Sequence, residues 1–412
     1  MLLLLDQGVV SVSSFLAMVL VGRACGDREL GTYGVAYTLM WLSASIPYTL
    51  IWIPYTNRAP LLIDSRRIQY TKNVAIHVVC FCALMTLPTA LVVWTLSNGS
   101  MKLWLGIYLF VVGMTLREHV RRVKIANLEF HRLLAVDLPV AFLQLFALGL
   151  AAMREILNVE SALSILGAIS MLPFLIEGVA FEPMRWHRQS VFRDFQRNWK
   201  VGRWLVGSSL IGASCDSVYR FMIVQLLGIA QFGQFTAAFS LPMFANPVVM
   251  TCGNYLRVIL ARDWIEGGTR RIRERLHRSI FLFGFLGVLM FGTVAFLGEF
   301  GAEFAFGSKY RGLGLLISTL CAALWISMVT VPSEVVLTVI GRGRTLIYTT
   351  LLRLLIMIVA GFPLIYFLGL IGGAMALAVG FLCQCIAQTA IADRYLKQKE
   401  SEVSSGYSPG AI

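Results

Sequence analysis

The sequence predicts an all-α polytopic membrane protein of about twelve transmembrane helices. Of its 412 residues, 58% are hydrophobic and 14% are charged, and the mean hydropathy is +0.75, whereas about 25% of the residues in a soluble domain are charged. Apolar stretches long enough to cross roughly 30 Å of hydrocarbon follow one another along the chain, separated by short polar breaks. The basic residues are concentrated in alternate breaks. Together these observations exclude a soluble domain as the body of the protein.

The apolar stretches define the predicted spans. In chain order they are 2–22, 32–54, 73–96, 103–120, 133–153, 161–181, 204–227, 232–256, 279–298, 312–338, 345–367 and 370–391. Each approaches the roughly 20 residues that a membrane helix requires.

The distribution of lysine and arginine predicts the orientation. The even-numbered loops and the C-terminal tail hold 27 of the 35 basic residues, and the odd-numbered loops hold 6. Because basic loops stay in the cytoplasm, both termini are expected to be cytoplasmic. The net charge of +13 does not indicate a nucleic-acid partner, because it is divided among loops and does not form the basic face of a soluble domain.

A repeated motif divides the chain into two halves. The pattern Gly-x4-Gly-x-aromatic-x2-Ala-aromatic starts at Gly26 and again at Gly228, after six further spans. An even number of spans between the copies predicts parallel repeats of the same topology. The predicted domains are a six-helix bundle at 1–181, a basic amphipathic cytoplasmic linker at 182–203, a second six-helix bundle at 204–393 and a disordered cytoplasmic tail at 394–412. We expect the linker to lie on the anionic inner leaflet.

Prolines interrupt the second predicted helix of each half. Pro47 and Pro54 lie in the second span, and Pro242 and Pro247 lie in the eighth. Paired broken helices at corresponding positions indicate a transport path. The alternative explanation is that proline is generally frequent in membrane helices.

Several motifs resemble those of a known transporter family. They are Asp6-Gln-Gly-Val-Val-Ser11 in the first span, Phe306-Gly-Ser-Lys-Tyr310 before the tenth, Gly341-Arg-Gly-Arg-Thr345 before the eleventh, and Gly369-Leu-Ile-Gly-Gly-Ala-Met-Ala376 opening the twelfth. In this order they resemble the Wzx-type polysaccharide flippases, a branch of the MOP superfamily that also includes the MATE multidrug antiporters and the lipid II flippases. The resemblance covers nearly the whole chain.

The resemblance implies two six-helix bundles around a central cavity that opens alternately to each side of the bacterial inner membrane. It implies that the protein moves an undecaprenyl-pyrophosphate-linked oligosaccharide from the inner to the outer leaflet for surface polysaccharide biosynthesis. The implied partners are this lipid-linked substrate, the membrane lipids, and the polymerase and glycosyltransferases of the same pathway.

Four charged residues lie inside predicted spans. Asp216 and Arg220 are in the seventh span, Glu334 is in the tenth and Arg353 is in the eleventh. Because an intramembrane charge usually faces a cavity or a partner, we predict that these residues bind substrate. Guanidinium groups suit a pyrophosphate because their planar fork binds phosphate oxygens bidentately. Alternatively, Asp216 pairs with Arg220 one turn later, and Glu334 pairs with Arg353 on a neighbouring helix.

A dense charged group ends the fourth span. Glu118 and Arg122 are spaced to pair along one helix, whereas Arg117 and Arg121 share a helix face without an acid. We predict that these two unmatched arginines receive a lipid headgroup from the inner leaflet. The alternative is a solvated basic loop. Asp137 lies a turn or two from the cytoplasmic end of the next span and is expected to be interfacial.

Two other functions compete with lipid transport. A cation-coupled multidrug antiporter would share the fold but would need an acidic cavity for cationic drugs, and arginine dominates inside the spans. A membrane glycosyltransferase or polymerase is suggested by Asp27-Arg28-Glu29, but the predicted external loops are all short, so no enzymatic activity is expected. Most of the eight cysteines fall within spans, without histidines at ligand spacing, so we expect no metal or other cofactor.

Overall fold

The computed structural model describes residues 2–97, 99–179, 188–266 and 268–404, and these residues are nearly all helical. The α-helices are α1 Leu2–Cys25, α2 Asp27–Pro47, α3 Ile53–Arg58, α4 Asp64–Leu84, α5 Thr86–Ser97, α6 Met101–Ala126, α7 Phe130–Met153, α8 Val159–Val179, α9 Arg188–Leu227, α10 Ile229–Ser240, α11 Asn246–Glu266, α12 Gly268–Phe306, α13 Gly314–Val339 and α14 Gly343–Ser404. A π-helical segment at Tyr48–Trp52 joins α2 to α3, and short 3-10 turns lie at Ala59–Leu61, Pro242–Ala245 and Ser308–Tyr310.

Eleven stretches of the described residues are long and apolar enough to cross a membrane. The last of them, Gly343–Ser401, contains the two final predicted spans. As one straight helix, the 62 residues of α14 would extend about 93 Å. Instead, α14 turns at Gly369, where φ is 60° and ψ is −136°, a conformation that residues with a side chain rarely adopt. An all-α membrane protein of about twelve spans is therefore confirmed.

The two parts of α14, before and after Gly369, pack against each other. The Gly372 backbone approaches the Leu364 carbonyl so closely that a Cβ at this position would clash. One turn further from the bend, a Cβ on Gly361 would lie 3.4 Å from the Ala376 side chain. The small residues of the Gly369–Ala376 motif thus allow the two parts of α14 to pack closely as a helical hairpin.

The repeated glycine motif forms the same turn twice. Gly26 (φ 96°, ψ 176°) separates α1 from α2, and Gly228 (φ 91°, ψ 165°) separates α9 from α10. The following helices cross at their first turns, where Gly31 lies against the Ile229 carbonyl and Gly233 lies against the Asp27 carbonyl. These two contacts join corresponding positions of the repeat, so the crossing is symmetric. The parallel arrangement of the complete halves stays a prediction.

The second helix of each repeat is broken, as its prolines indicate. In the first repeat α2 ends at Pro47 and continues as the π-helical segment. In the second repeat α10 ends at Ser240, and the 3-10 turn Pro242–Ala245 connects it to α11. Each break lies inside a continuous apolar stretch, so it interrupts the helix within the predicted span.

The chain divides into two compact units. The first comprises Met1–Ser217 with Ile229–Thr236, and the second comprises Val218–Gly228 with Ala237–Ile412. The division therefore falls within α9, C-terminal to the predicted linker. The core of the first unit surrounds the broken part of α2, where Tyr55 and Tyr70 are fully buried and stack at 5.6 Å.

Residues 188–203 of the predicted linker form the start of the 40-residue helix α9, and 182–187 lie outside the described residues. One face of this helix, formed by Ser190, Asp194 and Asn198, is buried against α4. Asp194 is fully buried and accepts hydrogen bonds from Arg66 at 2.7 Å and from Asn73 at 2.7 Å. The aromatic Phe192 and Trp199 are exposed, and so are the basic residues of this segment. One polar face of the linker therefore binds protein, while contact of its basic residues with the anionic leaflet stays a prediction.

The predicted tail is helical where the structure describes it. Helix α14 continues to Ser404, so the expectation of disorder from 394 onward is wrong for 394–404, whereas 405–412 lie outside the described residues. Arg273 at the start of α12 holds this extension through ion pairs with Asp393 at 2.8 Å and Glu400 at 3.2 Å. The sequence at 394–404 is mostly polar, but these ion pairs and the buried Leu396 fix it on the second unit.

Candidate functional site

A buried ion-pair network joins three helices of the first unit. Asp137 of α7 accepts a hydrogen bond from Arg117 Nε at 2.8 Å and another from Arg121 Nε at 2.8 Å. Arg121 also donates to Asp6 of α1 at 2.7 Å. Both aspartates are fully buried, and Arg117 and Arg121 are 4% and 8% exposed. The prediction that these two arginines lack an acid is wrong.

The pairing with Asp137 and Asp6 could not be predicted from the α6 sequence, because these acids lie on other helices. Arg117 and Arg121 do share one face of α6, but this face packs against α7 and α1, which carry Asp137 and Asp6. Asp137 is therefore part of the protein interior, while its depth near the membrane interface stays a prediction. The predicted pairing of Glu118 with Arg122 is confirmed, at 2.7 Å. Since both buried guanidinium groups are committed to carboxylates within the unit, Arg117 and Arg121 are no longer candidates for a lipid headgroup.

Arg122 connects the same network to the break in α2. Its guanidinium lies over the rings of Tyr48 and Trp52, with its carbon 5.1 Å and 6.0 Å from the two ring centroids. Both aromatic residues belong to the π-helical segment, a type of distortion that often occurs at functional sites. Cation–π contacts of this kind stabilise the segment by about 0.5–1 kcal/mol each at exposed sites.

Asp216 and Arg220 both lie on α9, on either side of the division between the units. Asp216 belongs to the first unit and is exposed. Arg220 belongs to the second unit and is half-buried; its guanidinium carbon lies 5.0 Å from the Phe239 ring centroid, and its Nε donates to the Tyr219 hydroxyl at 3.0 Å. Aromatic rings therefore hold the Arg220 side chain in place.

In the second unit, Glu334 and Arg353 are brought together with a third charged residue. Arg257 of α11 and Arg353 of α14 both lie within electrostatic reach of the Glu334 carboxylate on α13. Arg353 is 7% exposed and lies against Phe381, 4.8 Å from the ring centroid. Arg257 and Glu334 are exposed. The arrangement combines two guanidinium groups and one carboxylate from three helices.

Arg257 was missed because the predicted eighth span ends at residue 256. In the structure α11 continues to Glu266, so Arg257 lies about 13 Å before the end of its helix. Arg353 lies about 15 Å into α14, and Glu334 lies about 8 Å before the end of α13. All three helix ends are on the side predicted to be cytoplasmic. Arg257 was counted as a loop residue, and only the length of the helix shows otherwise.

The described residues contain no group of three or more histidine, cysteine, aspartate or glutamate side chains that could hold a metal ion.

Solved structures with the same arrangement of helices identify the fold. An inward-facing multidrug resistance MATE transporter of the MOP superfamily matches with a TM-score of 0.74 and 12% sequence identity, over 97% of this chain and 96% of that chain. The chain has the MATE fold. A MATE protein in complex with MaL6 matches with a TM-score of 0.65 and 11% identity, over 98% of this chain and 95% of that one. The lipid II flippase MurJ in an inward closed conformation matches with a TM-score of 0.63 and 10% identity, over 93% and 86% of the two chains.

The MATE fold is shared without detectable similarity in sequence. No protein-family model and no curated protein sequence matches this chain. The structural matches confirm the predicted MOP-type fold, and the Wzx branch of the superfamily stays a prediction.

Proposed function

We propose that the protein is a flippase of the bacterial cytoplasmic membrane that moves an undecaprenyl-pyrophosphate-linked oligosaccharide from the inner to the outer leaflet by alternating access. The observation that supports this proposal best is the basic set of intramembrane charges in the second unit. Arg220, Arg257 and Arg353 lie on membrane helices of this unit, and two of them act on the same acid, Glu334.

The pyrophosphate of such a substrate needs fixed cations. Guanidinium groups remain protonated and bind phosphate oxygens through a planar fork. In our proposal the exposed Arg257 contacts the pyrophosphate on the predicted cytoplasmic side, and the half-buried Arg220, about 10 Å before the opposite end of α9, contacts it later in the transport cycle. Arg353 is too buried for direct contact and instead holds Glu334, which in turn orients Arg257.

The fold agrees with lipid transport but does not select it. MurJ, which has this fold, is a lipid II flippase, and the MATE matches are multidrug transporters. The exposed carboxylates of Asp216 and Glu334 favour the second candidate, a cation-coupled multidrug antiporter, because a cationic drug requires an acid. An enzyme is the least supported alternative. The polymerase and glycosyltransferases of the same pathway are proposed partners.

Transport by purified protein in liposomes tests the proposal. The substrate is undecaprenyl-pyrophosphate-linked N-acetylglucosamine loaded in the inner leaflet, and its arrival outside is measured by capture with an external lectin. We expect wild-type protein to flip it, and Arg257→Gln and Arg220→Gln each to slow flipping at least about tenfold, the equivalent of about 1.4 kcal/mol. Arg278→Gln, an exposed arginine at the start of α12, is the matched control and should stay within about twofold of wild type.

Two results would contradict the flippase proposal. The first is wild-type protein that leaves the lipid-linked sugar in the inner leaflet but exchanges the cationic dye ethidium for protons, which would assign the antiporter function. The second is normal flipping by both arginine variants, which would show that these arginines do not bind the pyrophosphate.

A further inference from the structure

Helix α2 and the π-helical segment that follows it expose one narrow aromatic stripe. Between Leu30 and Pro47 every residue of this helix is buried or half-buried except Trp41, which is 62% exposed. Tyr48, two turns further on, is 41% exposed. Ser45, half-buried, lies between them on the same face, because residues four and seven apart in a helix are neighbours. The stripe of Trp41, Ser45 and Tyr48 therefore presents two aromatic rings with a hydroxyl between them.

Helix α9 runs beside this stripe in the opposite direction. About four turns into α9, Gly202 lies against the backbone of Thr49, where a Cβ would be 2.7 Å from the carbonyl oxygen. Two turns later the Ser209 hydroxyl donates to the Ser45 carbonyl at 3.4 Å. Two further turns along α9, a rise of about 10 Å, bring Asp216 to within about one turn of the level of Trp41.

The surroundings of the stripe are polar. Ser45, Ser209 and the exposed carboxylate of Asp216 all lie in membrane helices of the first unit. An exposed carboxylate within a span faces water or a polar ligand, because its contact with hydrocarbon costs several kcal/mol. The stripe therefore adjoins a face of α9 that carries hydrogen-bond acceptors.

This combination fits the chemistry of a sugar ring. The flat C–H face of a pyranose stacks on an aromatic ring, and its outward hydroxyls donate hydrogen bonds to carboxylate and hydroxyl oxygens. The hydroxyl protons of Ser45 and Ser209 are already used in hydrogen bonds to the Leu42 and Ser45 carbonyls, so their oxygens remain as acceptors. The ring of Tyr48 already carries the Arg122 guanidinium, which disfavours a second cation at that end.

We propose that Trp41 and Ser45 of α2 and Tyr48 of the π-helical segment, with Ser209 and Asp216 of α9, form a sugar-binding subsite for the glycan of the lipid-linked substrate. The subsite rests on the proposed flippase function and gives it a second contact region, separate from the arginines that bind the pyrophosphate.

Two short-chain ligands that differ only in the sugar test the subsite. They are farnesyl pyrophosphate and farnesyl-pyrophosphoryl-N-acetylglucosamine, and their affinities for the purified full-length protein in detergent are measured by isothermal titration calorimetry. In wild-type protein the sugar should tighten binding about five- to tenfold. Trp41→Ala should abolish this gain and leave the affinity for farnesyl pyrophosphate unchanged, whereas Trp41→Phe should keep most of it. Trp94→Ala, which removes an equally exposed tryptophan on α5, is the matched control and should behave as wild type.

Each other outcome has a defined meaning. If wild type binds both ligands equally, or if Trp41→Ala keeps the gain, the subsite is wrong while the proposed function stands. If wild type binds neither ligand, the proposed function fails and the subsite fails with it. If wild type binds the cation tetraphenylphosphonium and Trp41→Ala alone weakens that binding, the stripe serves cations and the sugar subsite is overturned.

Discussion

Replacing Asp137 by asparagine should strongly destabilise the first unit. The fully buried carboxylate accepts hydrogen bonds at 2.8 Å from both Arg117 and Arg121, and asparagine keeps its shape while removing the charge. Arg121 retains Asp6, but Arg117 loses the acid that the structure gives it. Breaking a buried ion pair by removing one partner costs about 3–5 kcal/mol, because the remaining charge is left uncompensated. We expect a loss of unfolding free energy of about this size.

The assay compares this variant with an exposed pair of similar geometry. Asp64 pairs with Arg67 at 2.7 Å but is 86% exposed, so Asp64→Asn should cost less than about 1 kcal/mol. Thermal unfolding of both variants in the same detergent, followed by intrinsic tryptophan fluorescence at one scan rate, gives the comparison. We expect Asp137→Asn to lower the midpoint by several degrees and Asp64→Asn to leave it nearly unchanged. Equal midpoints for the two variants would refute the conclusion that burial makes the Asp137 network important for stability.

The remaining predictions concern close backbone contacts and the driving force. Gly202→Ala should lower the unfolding midpoint by an amount equivalent to about 1–3 kcal/mol, because its Cβ would lie 2.7 Å from the Thr49 carbonyl oxygen. At Gly207 on the same helix an added Cβ meets open space, so Gly207→Ala should raise the midpoint by an amount equivalent to up to about 1 kcal/mol through its higher helix propensity. If both variants shifted the midpoint in the same direction, this reasoning would be contradicted. Gly369→Ala forces a side chain into φ 60°, ψ −136° and should reduce the monodisperse fraction in gel filtration, whereas Gly343→Ala should not. Outward movement of about two negative charges gains roughly 4–5 kcal/mol at an inside-negative potential of 100 mV. Flipping in liposomes without a pH gradient should therefore be faster when this potential is applied. A flipping rate that depended on the pH gradient and not on the potential would contradict this prediction.

The spans could be predicted from the sequence because each depends on its own residues. An apolar stretch of sufficient length crosses the membrane whatever its neighbours do. The turns at Gly26 and Gly228 were also recognisable, since a left-handed backbone favours glycine and the motif occurs twice. The prolines located the breaks in the second helix of each repeat for the same local reason.

The charged contacts could not be predicted, because they join residues distant in the sequence. Arg121 and Asp6 lie 115 residues apart, and Arg66 and Asp194 lie 128 apart. A helix-face argument finds acids only within about one turn of a base, which explains why Glu118 was correctly paired with Arg122 and Asp137 was overlooked.

The buried network of the first unit gives its arginines two successive uses. Basic residues flanking a span set its orientation while the chain is being inserted, and acidic residues contribute little to that selection. We predict that at this stage Arg121 and Arg122 act as free cations that retain the end of α6 in the cytoplasm. After the helices pack, both are neutralised by Glu118, Asp6 and Asp137. In this prediction Arg121 first helps to direct the topology of the nascent chain and then links α6 to α1 and α7 in the folded protein.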